Sequence, residues 1–219
     1  GKDIAVPTGE PSNNQVNACG GCHSRRQAIA SFDPASNYHD QFILRTIDQN
    51  LYHADGQIQD EVFVLGSFLQ SKMAQAGVTC TNCHNPHSGE LKVEGNGLCT
   101  QCHKPQAYDN ETHHKHKPDT EAAQCVTCHM PTTTYMEVDD RRDHSFKVPH
   151  PKTSELSGSP SVCKSCHQEQ SNEWASMTID TWAAQPEFDL FATANLYAQD
   201  SDPLGLRKVV EYIDNQENP

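Results

Sequence analysis

All ten cysteines of the 219-residue chain belong to one repeated pattern. Each pair is separated by two residues and followed directly by a histidine, so the chain has five Cys-x-x-Cys-His motifs and no cysteine outside them. The motif residues are Cys19, Cys22 and His23; Cys80, Cys83 and His84; Cys99, Cys102 and His103; Cys125, Cys128 and His129; and Cys163, Cys166 and His167. This spacing lets two thiols form thioethers with one porphyrin while the histidine binds its iron. The pattern therefore predicts five covalently bound haem c groups.

Other uses of paired cysteines fit this pattern poorly. A single Cys-x-x-Cys is also typical of redox-active thiols or of half a zinc site. Five copies with the histidine always in the same place, and with no stray cysteine, argue against zinc and against a disulfide framework. Iron held in this way supports electron transfer.

Eight further histidines are candidates for the opposite face of the irons. Histidine on both faces keeps iron six-coordinate, which suits electron transfer with little rearrangement. His87 is too close to His84 to bind the same iron, but it can serve a neighbouring haem. His150, between two prolines, is the weakest candidate, and the cluster of His113, His114 and His116 supplies one or two ligands. We predict iron ligation by His39, His53, His87, His113, His116 and His144.

Helical periodicity is strongest between the first two motifs. One run of apolar residues extends from Phe42 to Leu51 and a second from Val62 to Met73, which is followed by a stop signal at Gly77. We expect two helices joined by a turn at Asp55-Gly56, with their apolar faces packed on porphyrin. Asn85 to Pro160 is rich in Pro, Gly and Asn and predicts loops around haems.

The C-terminal tail is more apolar, and Pro186 and Pro203 stand where new helices can start. We expect two or three short helices that cap the last haem, the alternative being contact with another subunit. The predicted fold is mainly α with extensive loops, wrapped around five haems, with little or no sheet. Residues 1–168 are the predicted pentahaem module and 169–219 the helical tail.

Composition limits the class of protein. Only 35% of the residues are hydrophobic, so we expect covalent cofactors to supply buried apolar surface. A net charge of -13 argues against nucleic acid as a partner, and the chain has no apolar run long enough to span a membrane. Bacterial haem c is attached outside the cytoplasm, and the chain begins Gly-Lys-Asp without a hydrophobic signal region. We therefore expect a processed periplasmic or extracellular protein.

Several segments resemble multihaem cytochromes of the cytochrome c-554-like group, closest to the haem module that often precedes tetratricopeptide repeats. The matching segments are 51–58, 66–73, 78–89, 113–116, 125–131 and 141–146, continuing to Trp174. The resemblance implies haems in parallel and perpendicular pairs, mostly bis-histidine ligated, with His39, His53, His87, the 113–116 cluster and His144 at motif positions. The family pattern has arginine where this chain has His150, and the tail here is too short for a repeat array.

The preferred function is electron transfer between redox protein partners, without enzymatic activity. One alternative is a subunit of an extracellular conductive filament, in which a spare histidine binds a haem of the next subunit. A further alternative is an oxidoreductase acting on a small nitrogen compound. Catalysis requires an open iron position and nearby acid–base groups, and the many spare histidines argue against it.

Overall fold

The computed structural model describes residues 13–182, 190–199 and 203–214. Contacts group the chain into two compact units. The first unit is Gly1–Thr46 with Val62–Lys147, and the second is Ile47–Glu61 with Val148–Pro219. The first four motifs belong to the first unit and the fifth belongs to the second. In this division the fifth motif groups with the C-terminal helices; the domain boundary after residue 168 stays a prediction.

The first unit is built from short helices and two hairpins. Its helices are α1 (Asn13–Gly20), α2 (Tyr38–Gln41), α3 (Leu65–Phe68), α4 (Lys72–Gln75), α5 (Cys80–Cys83), α6 (Gly97–Thr100), α7 (Pro105–Tyr108), α8 (Glu111–His114) and α9 (Cys125–His129), with a 3-10 turn at Glu121–Ala123. Its strands are β1 (Arg26–Ala28), β2 (Phe42–Leu44), β3 (Thr132–Tyr135) and β4 (Asp139–Arg142). Strand β1 pairs antiparallel with β2, and β3 pairs antiparallel with β4. The expectation of little sheet is confirmed for the described residues.

The predicted helix from Phe42 to Leu51 is wrong. Helix α2 ends at Gln41, and Phe42 takes extended angles (φ -137°, ψ 144°) as β2 begins. Phe42 is buried and Ile43 exposed, the alternation of a strand with one covered face. The apolar spacing was compatible with both periods over so short a run.

The second predicted helix is present in two pieces, α3 and α4. Ser71 separates them with extended angles, and its hydroxyl accepts a hydrogen bond from Ala74 N at 3.0 Å as the cap of α4. Gly77 follows at φ 86°, as the stop signal predicted. The predicted turn at Asp55-Gly56 is also confirmed, because Gly56 (φ 81°) donates to His53 O at 2.8 Å.

A small apolar core lies beside the first motif. Tyr38, Phe42 and Leu65 form its buried cluster, with Val16 and Leu44 packed against it. Motif backbone and core are in close contact, because a Cβ added to Gly20 would lie 2.8 Å from Leu65 Cδ2 and 2.9 Å from Tyr38 Cδ2. Glycine at this position therefore lets the attachment loop lie against the core.

The described residues of the second unit form four helices. They are α10 (Pro151–Ser157), α11 (Asn172–Trp182), α12 (Leu190–Gln199) and α13 (Pro203–Asp214), with a 3-10 turn at Val162–Ser165. The last three confirm the predicted tail helices, and α13 begins at Pro203. Pro186, the other predicted start, lies outside the described residues. Among the helices described, none has both the length and the apolar character needed to cross a bilayer.

Candidate haem sites

The attachment motifs share one backbone geometry. In four of them the amide of the histidine donates to the carbonyl of the first cysteine, at 2.9 Å for His23, His84 and His167 and at 3.0 Å for His103. The fourth motif is itself the short helix α9. Residues three apart on a helical turn share a face, so both thiols of a motif can lie on one side of it. None of the ten cysteines, all of which lie in the described residues, forms a disulfide, and two cysteine sulfurs plus one imidazole are the groups that haem c requires.

The second motif faces a distant histidine. The rings of His84 and His144 have centres 6.4 Å apart and planes inclined by 25°. A metal–imidazole bond of about 2 Å on each side, plus the radius of each ring, places trans imidazole centres about 6.3 Å apart. The pair therefore has the separation that one six-coordinate iron requires.

The fourth motif shows the same arrangement. The rings of His129 and His113 have centres 6.2 Å apart and planes inclined by 18°. His113 lies on α8, which Asn110 caps by accepting a hydrogen bond from Thr112 N at 2.9 Å. The residues of this pair, like those of the second-motif pair, fit a haem between them.

Hydrogen bonds define which ring nitrogen is available in these pairs. His84, His129 and His144 each direct Nδ1 at a backbone carbonyl, at 3.1, 2.9 and 2.9 Å. A carbonyl can only accept, so Nδ1 carries the proton and the Nε2 lone pair is left for a metal. Burial lowers the pKa of His113 and of His144, which favours the neutral ring that can bind a metal.

The 113–116 cluster separates into different roles. Lys115 has left-handed angles (φ 58°) and turns the chain between His114 and His116. His116 donates from Nδ1 to the carbonyl of His114, so in the neutral ring the Nε2 atom carries the lone pair. His114 instead accepts the His116 amide at Nδ1, at 3.2 Å. A neutral His114 then carries its proton on Nε2, which is the wrong tautomer for a metal bond through that atom.

His150 follows the pattern of His114. It precedes α10, and its Nδ1 accepts the amide of Thr153 at 3.1 Å as a helix cap. Its proton is therefore on Nε2. This agrees with its low rank among the sequence candidates.

The remaining candidates occupy different settings. His39 lies on α2 with its ring edge-on to Tyr38, 5.1 Å between centres. His87 is exposed in a tight loop, where its amide donates to Asn85 Oδ1 at 3.0 Å. His53 belongs to the second unit, and burial lowers its pKa.

The attachment points of successive motifs lie side by side. The thiols of Cys19 and Cys80 are hydrogen-bonded, and burial together with this neighbour raises the pKa of Cys80 to about 11. Cys99 and Cys125 are also hydrogen-bonded, which raises the pKa of Cys99 and lowers that of Cys125. Burial first, and then the nearby Cys102, raises the pKa of Cys83. The first four attachment sites thus form a contiguous series.

The comparisons with known proteins agree with this geometry. The family model for the doubled CXXCH motif matches residues 72–108, which contain the second and third motifs. The crystal structure of outer cell wall cytochrome OcwA superposes with a TM-score of 0.55 and 18% identity, over 88% of this chain. The chain has the motif and the fold of a multihaem c-type cytochrome. Comparison with curated proteins finds no match.

The chain spans 62% of the length of OcwA, so the likeness concerns the fold and not the whole of that protein. The paired motifs indicate covalently bound haem c with iron. The narrower resemblance to the cytochrome c-554-like group stays a prediction.

Two aromatic residues contact motif histidines: Tyr108 was not singled out from the sequence, and Trp174 was named there only as the end of the resembling segments. Tyr108 lies edge-on to both His103 and His113, at 5.5 and 5.6 Å between ring centres. Trp174 on α11 packs against His167 at 5.1 Å. Their positions shortly after a motif histidine were the available signal, but the sequence does not show which aromatic residues turn back towards the motif.

Proposed function

We propose that this cytochrome conducts electrons along five closely spaced haems, most with histidine on both faces, between redox protein partners. The observation that carries the proposal is that two pairs of imidazole rings lie close together. The ring centres are 6.4 Å apart for His84 and His144 and 6.2 Å apart for His113 and His129. Bound iron would supply the redox change, accepting and releasing one electron. The residues of this chain would hold the iron in a constant ligand field.

In this proposal His84 and His144 hold the haem attached at Cys80 and Cys83. His129 and His113 hold the one attached at Cys125 and Cys128. Nδ1–H bonds from His84, His129 and His144 to carbonyls fix the ring orientations, so ligation changes little between oxidation states. The three remaining distal ligands would come from among His39, His53, His87 and His116, whereas His114 and His150 would supply none.

Proximity of the attachment sites supports conduction from haem to haem. The Cys19–Cys80 and Cys99–Cys125 contacts bring together thioether positions of successive motifs. Neighbouring porphyrin edges would then lie close, which shortens each electron-transfer step. The net charge of -13 favours partners with basic docking patches.

We place the protein in the periplasm or outside the cell, as its haem c chemistry requires in bacteria. The structural relative is described as an outer cell wall cytochrome, which is in keeping with this location. Among the described residues, no specific contact favours the filament subunit or the nitrogen-compound oxidoreductase over a carrier.

Adjacent histidines on α8 offer a matched test. In the ferric wild-type protein we expect five bound haems by mass spectrometry and only low-spin signals by electron paramagnetic resonance. His113→Ala should convert one haem in five to high spin, whereas His114→Ala should convert none. A high-spin haem in the wild-type protein that binds nitrite or hydroxylamine would overturn the carrier function in favour of catalysis. Equal effects of the two substitutions would overturn the ligand assignment.

A further inference from the structure

A tight turn in the second unit is fastened to the chain just before the fifth motif. The turn contains His53 and Gln57, whose backbones are joined by a hydrogen bond from His53 N to Gln57 O at 2.9 Å. An isolated bridge between Tyr52 and Ile58 closes it. Tyr52 is 2% exposed and Ala54 3%, so the turn is anchored by buried side chains on both sides of His53.

The buried carboxylate of Asp55 is the centre of the hydrogen bonds that join this turn to the segment before the fifth motif. Asp55 Oδ2 accepts hydrogen bonds from Ser159 Oγ at 2.6 Å and from Gln57 Nε2 at 2.7 Å. Its Oδ1 accepts the amide of Gln57 at 3.1 Å. Asp55 and Ser159 are each 5% exposed, although they are 104 residues apart in the sequence. A buried carboxylate needs such donors, so the network holds only in this arrangement.

Two further bonds fasten the same turn. Gln57 Nε2 donates to Pro160 O at 3.0 Å, and Asn195 Nδ2 on α12 donates to Ala54 O at 3.0 Å. Ser159 and Pro160 are the fourth and third residues before Cys163. The turn that carries His53 is thus bonded directly to the segment that leads into the fifth motif.

The histidines of the second unit leave one candidate for a distal ligand there. Residues 47–61 and 148–219 contain His53, His150 and His167. His167 is the motif histidine, held against Trp174. The Nδ1 of His150 accepts the amide of Thr153, so its Nε2 carries the proton. His53 is the one left.

We infer that Asp55 is a positioning residue that holds His53 as the second axial ligand of the haem attached at Cys163 and Cys166, opposite His167. This inference rests on the proposed function, because it presumes a haem at the fifth motif. The distal ligand is supplied from a segment that precedes the motif by more than a hundred residues. The Asp55–Ser159 and Gln57–Pro160 bonds join that segment to the motif.

The ligand assignment is tested by removing His53 with and without the fifth haem. In the full chain, His53→Ala should convert one haem in five to high spin in the ferric resonance spectrum. In a Cys163→Ser/Cys166→Ser background, which loses one haem by mass, the same substitution should create no additional high-spin signal. A high-spin signal created in both backgrounds, or in neither, would overturn the assignment.

A second variant covers the case in which the four-haem protein does not fold. His53→Met in the full chain should give one histidine–methionine haem, and the introduced methyl group should show nuclear Overhauser contacts to the haem bound by His167. Contacts to a different haem would overturn the inference. Failure of the proposed function is distinguishable, because it would appear as high-spin haem in the unsubstituted protein.

The positioning role of Asp55 has its own readout. Asp55→Ala should raise the high-spin fraction of that one haem part of the way towards the His53→Ala value, with the other four unchanged. Ser159→Ala should raise the high-spin fraction less, and Asp55→Asn, which keeps the size of the side chain but only one oxygen acceptor, should give a value between those of Asp55→Ala and the unsubstituted protein. The exposed Asp60, on the same segment, is the matched control, and Asp60→Ala should change nothing. Lower thermal stability in Asp55→Ala with all five haems still low-spin would assign Asp55 a merely structural role.

Discussion

Two stretches of the first unit differ in how many apolar side chains they bury around their attachment motifs. The segments around the first motif, 15–44 and 62–68, bury five large apolar side chains: Tyr38, Phe42, Val62, Leu65 and Phe68. The stretch from Val78 to Lys147, which the structure describes throughout, contains three motifs but has Ala123 as its one buried hydrophobic residue. The first stretch has a protein core of its own, and the second does not.

The difference shows what holds the motif-crowded stretch together. Apolar burial contributes about 25 cal/mol per Å² of surface removed from water. The stretch from Val78 to Lys147 has Ala123 as its one buried hydrophobic residue, so burial of apolar side chains stabilises it little. Its helices are also too short to be stable alone. We infer that porphyrin surface replaces the missing side-chain core, as a structural metal does in small domains.

Removal of all haems should have the largest effect on structure, and it tests directly whether the two stretches are held together differently. In protein produced without haem attachment, amides of residues 78–147 should exchange hydrogen at rates close to those of an unfolded chain. Amides around Phe42 and Leu65 should keep measurable protection, because their core is made of side chains. Hydrogen-exchange mass spectrometry would measure both, and equal protection of the two stretches would contradict the inference.

The next largest effect is expected from truncating one leucine in each stretch and comparing the free energies of unfolding. Leu65→Ala in the core should lower the free energy of unfolding by about 3 kcal/mol, since Leu65 is 3% exposed and the change leaves a cavity. Leu91→Ala in the crowded stretch, where the side chain is 50% exposed, should cost less than about 1 kcal/mol. Denaturant titration of the holoprotein measures both. A larger loss for Leu91→Ala would mean that this side chain packs on porphyrin.

Gly20→Ala should cost about 2 kcal/mol, because its Cβ would press on Leu65 and Tyr38 in the buried core. Attachment of the first haem should fall in proportion, as a mass spectrum of the purified protein would show. Thr100→Ala, at the equivalent position of the third motif, is the control and should stay within about 0.5 kcal/mol. Full attachment of the first haem in Gly20→Ala would mean that Leu65 and Tyr38 can shift to make room for the added methyl group.

Arg142→Ala should have the smallest effect, about 1 kcal/mol. The Arg142 guanidinium donates to Met130 O at 3.0 Å and to Val126 O at 3.3 Å, at the C-terminal end of α9. Cations stabilise that end of a helix, but this side chain is exposed. The thermal midpoint should fall slightly, whereas the exposed Lys117→Ala should leave it unchanged. An unchanged midpoint in Arg142→Ala would show that haem attachment alone holds α9.

Local sequence signals predicted the local features well. The turn at Gly56, the helix stop at Gly77 and the helix start at Pro203 depend on the φ preferences of glycine and proline, which act over one or two residues. The run from Phe42 failed because its apolar spacing fits a helix as well as a strand. Pairing with Arg26–Ala28, which is a tertiary contact, selected the strand.

For the candidate iron ligands, too, the sequence could not predict which residues meet in the folded protein. The spare histidines identified a supply of distal ligands, but not which of them face a motif. His144 meets His84, and His113 meets His129, only because the chain returns to those motifs in three dimensions. The proposed exclusion of His114 and His150 as ligands rests on the hydrogen bonds at their Nδ1 atoms, which no sequence pattern encodes.

The sequence by itself determined the five attachment motifs, since thioether formation and iron ligation require only residues within one pentapeptide. It also determined that ordinary side chains could not supply the whole core. Only the tertiary structure decided which imidazoles face each other, which thiols of successive motifs meet, and that Asp55 is bonded to Ser159 beside the fifth motif. Those contacts join residues far apart in the chain, and their specificity comes from packing and hydrogen-bond geometry that exist only once the chain is folded.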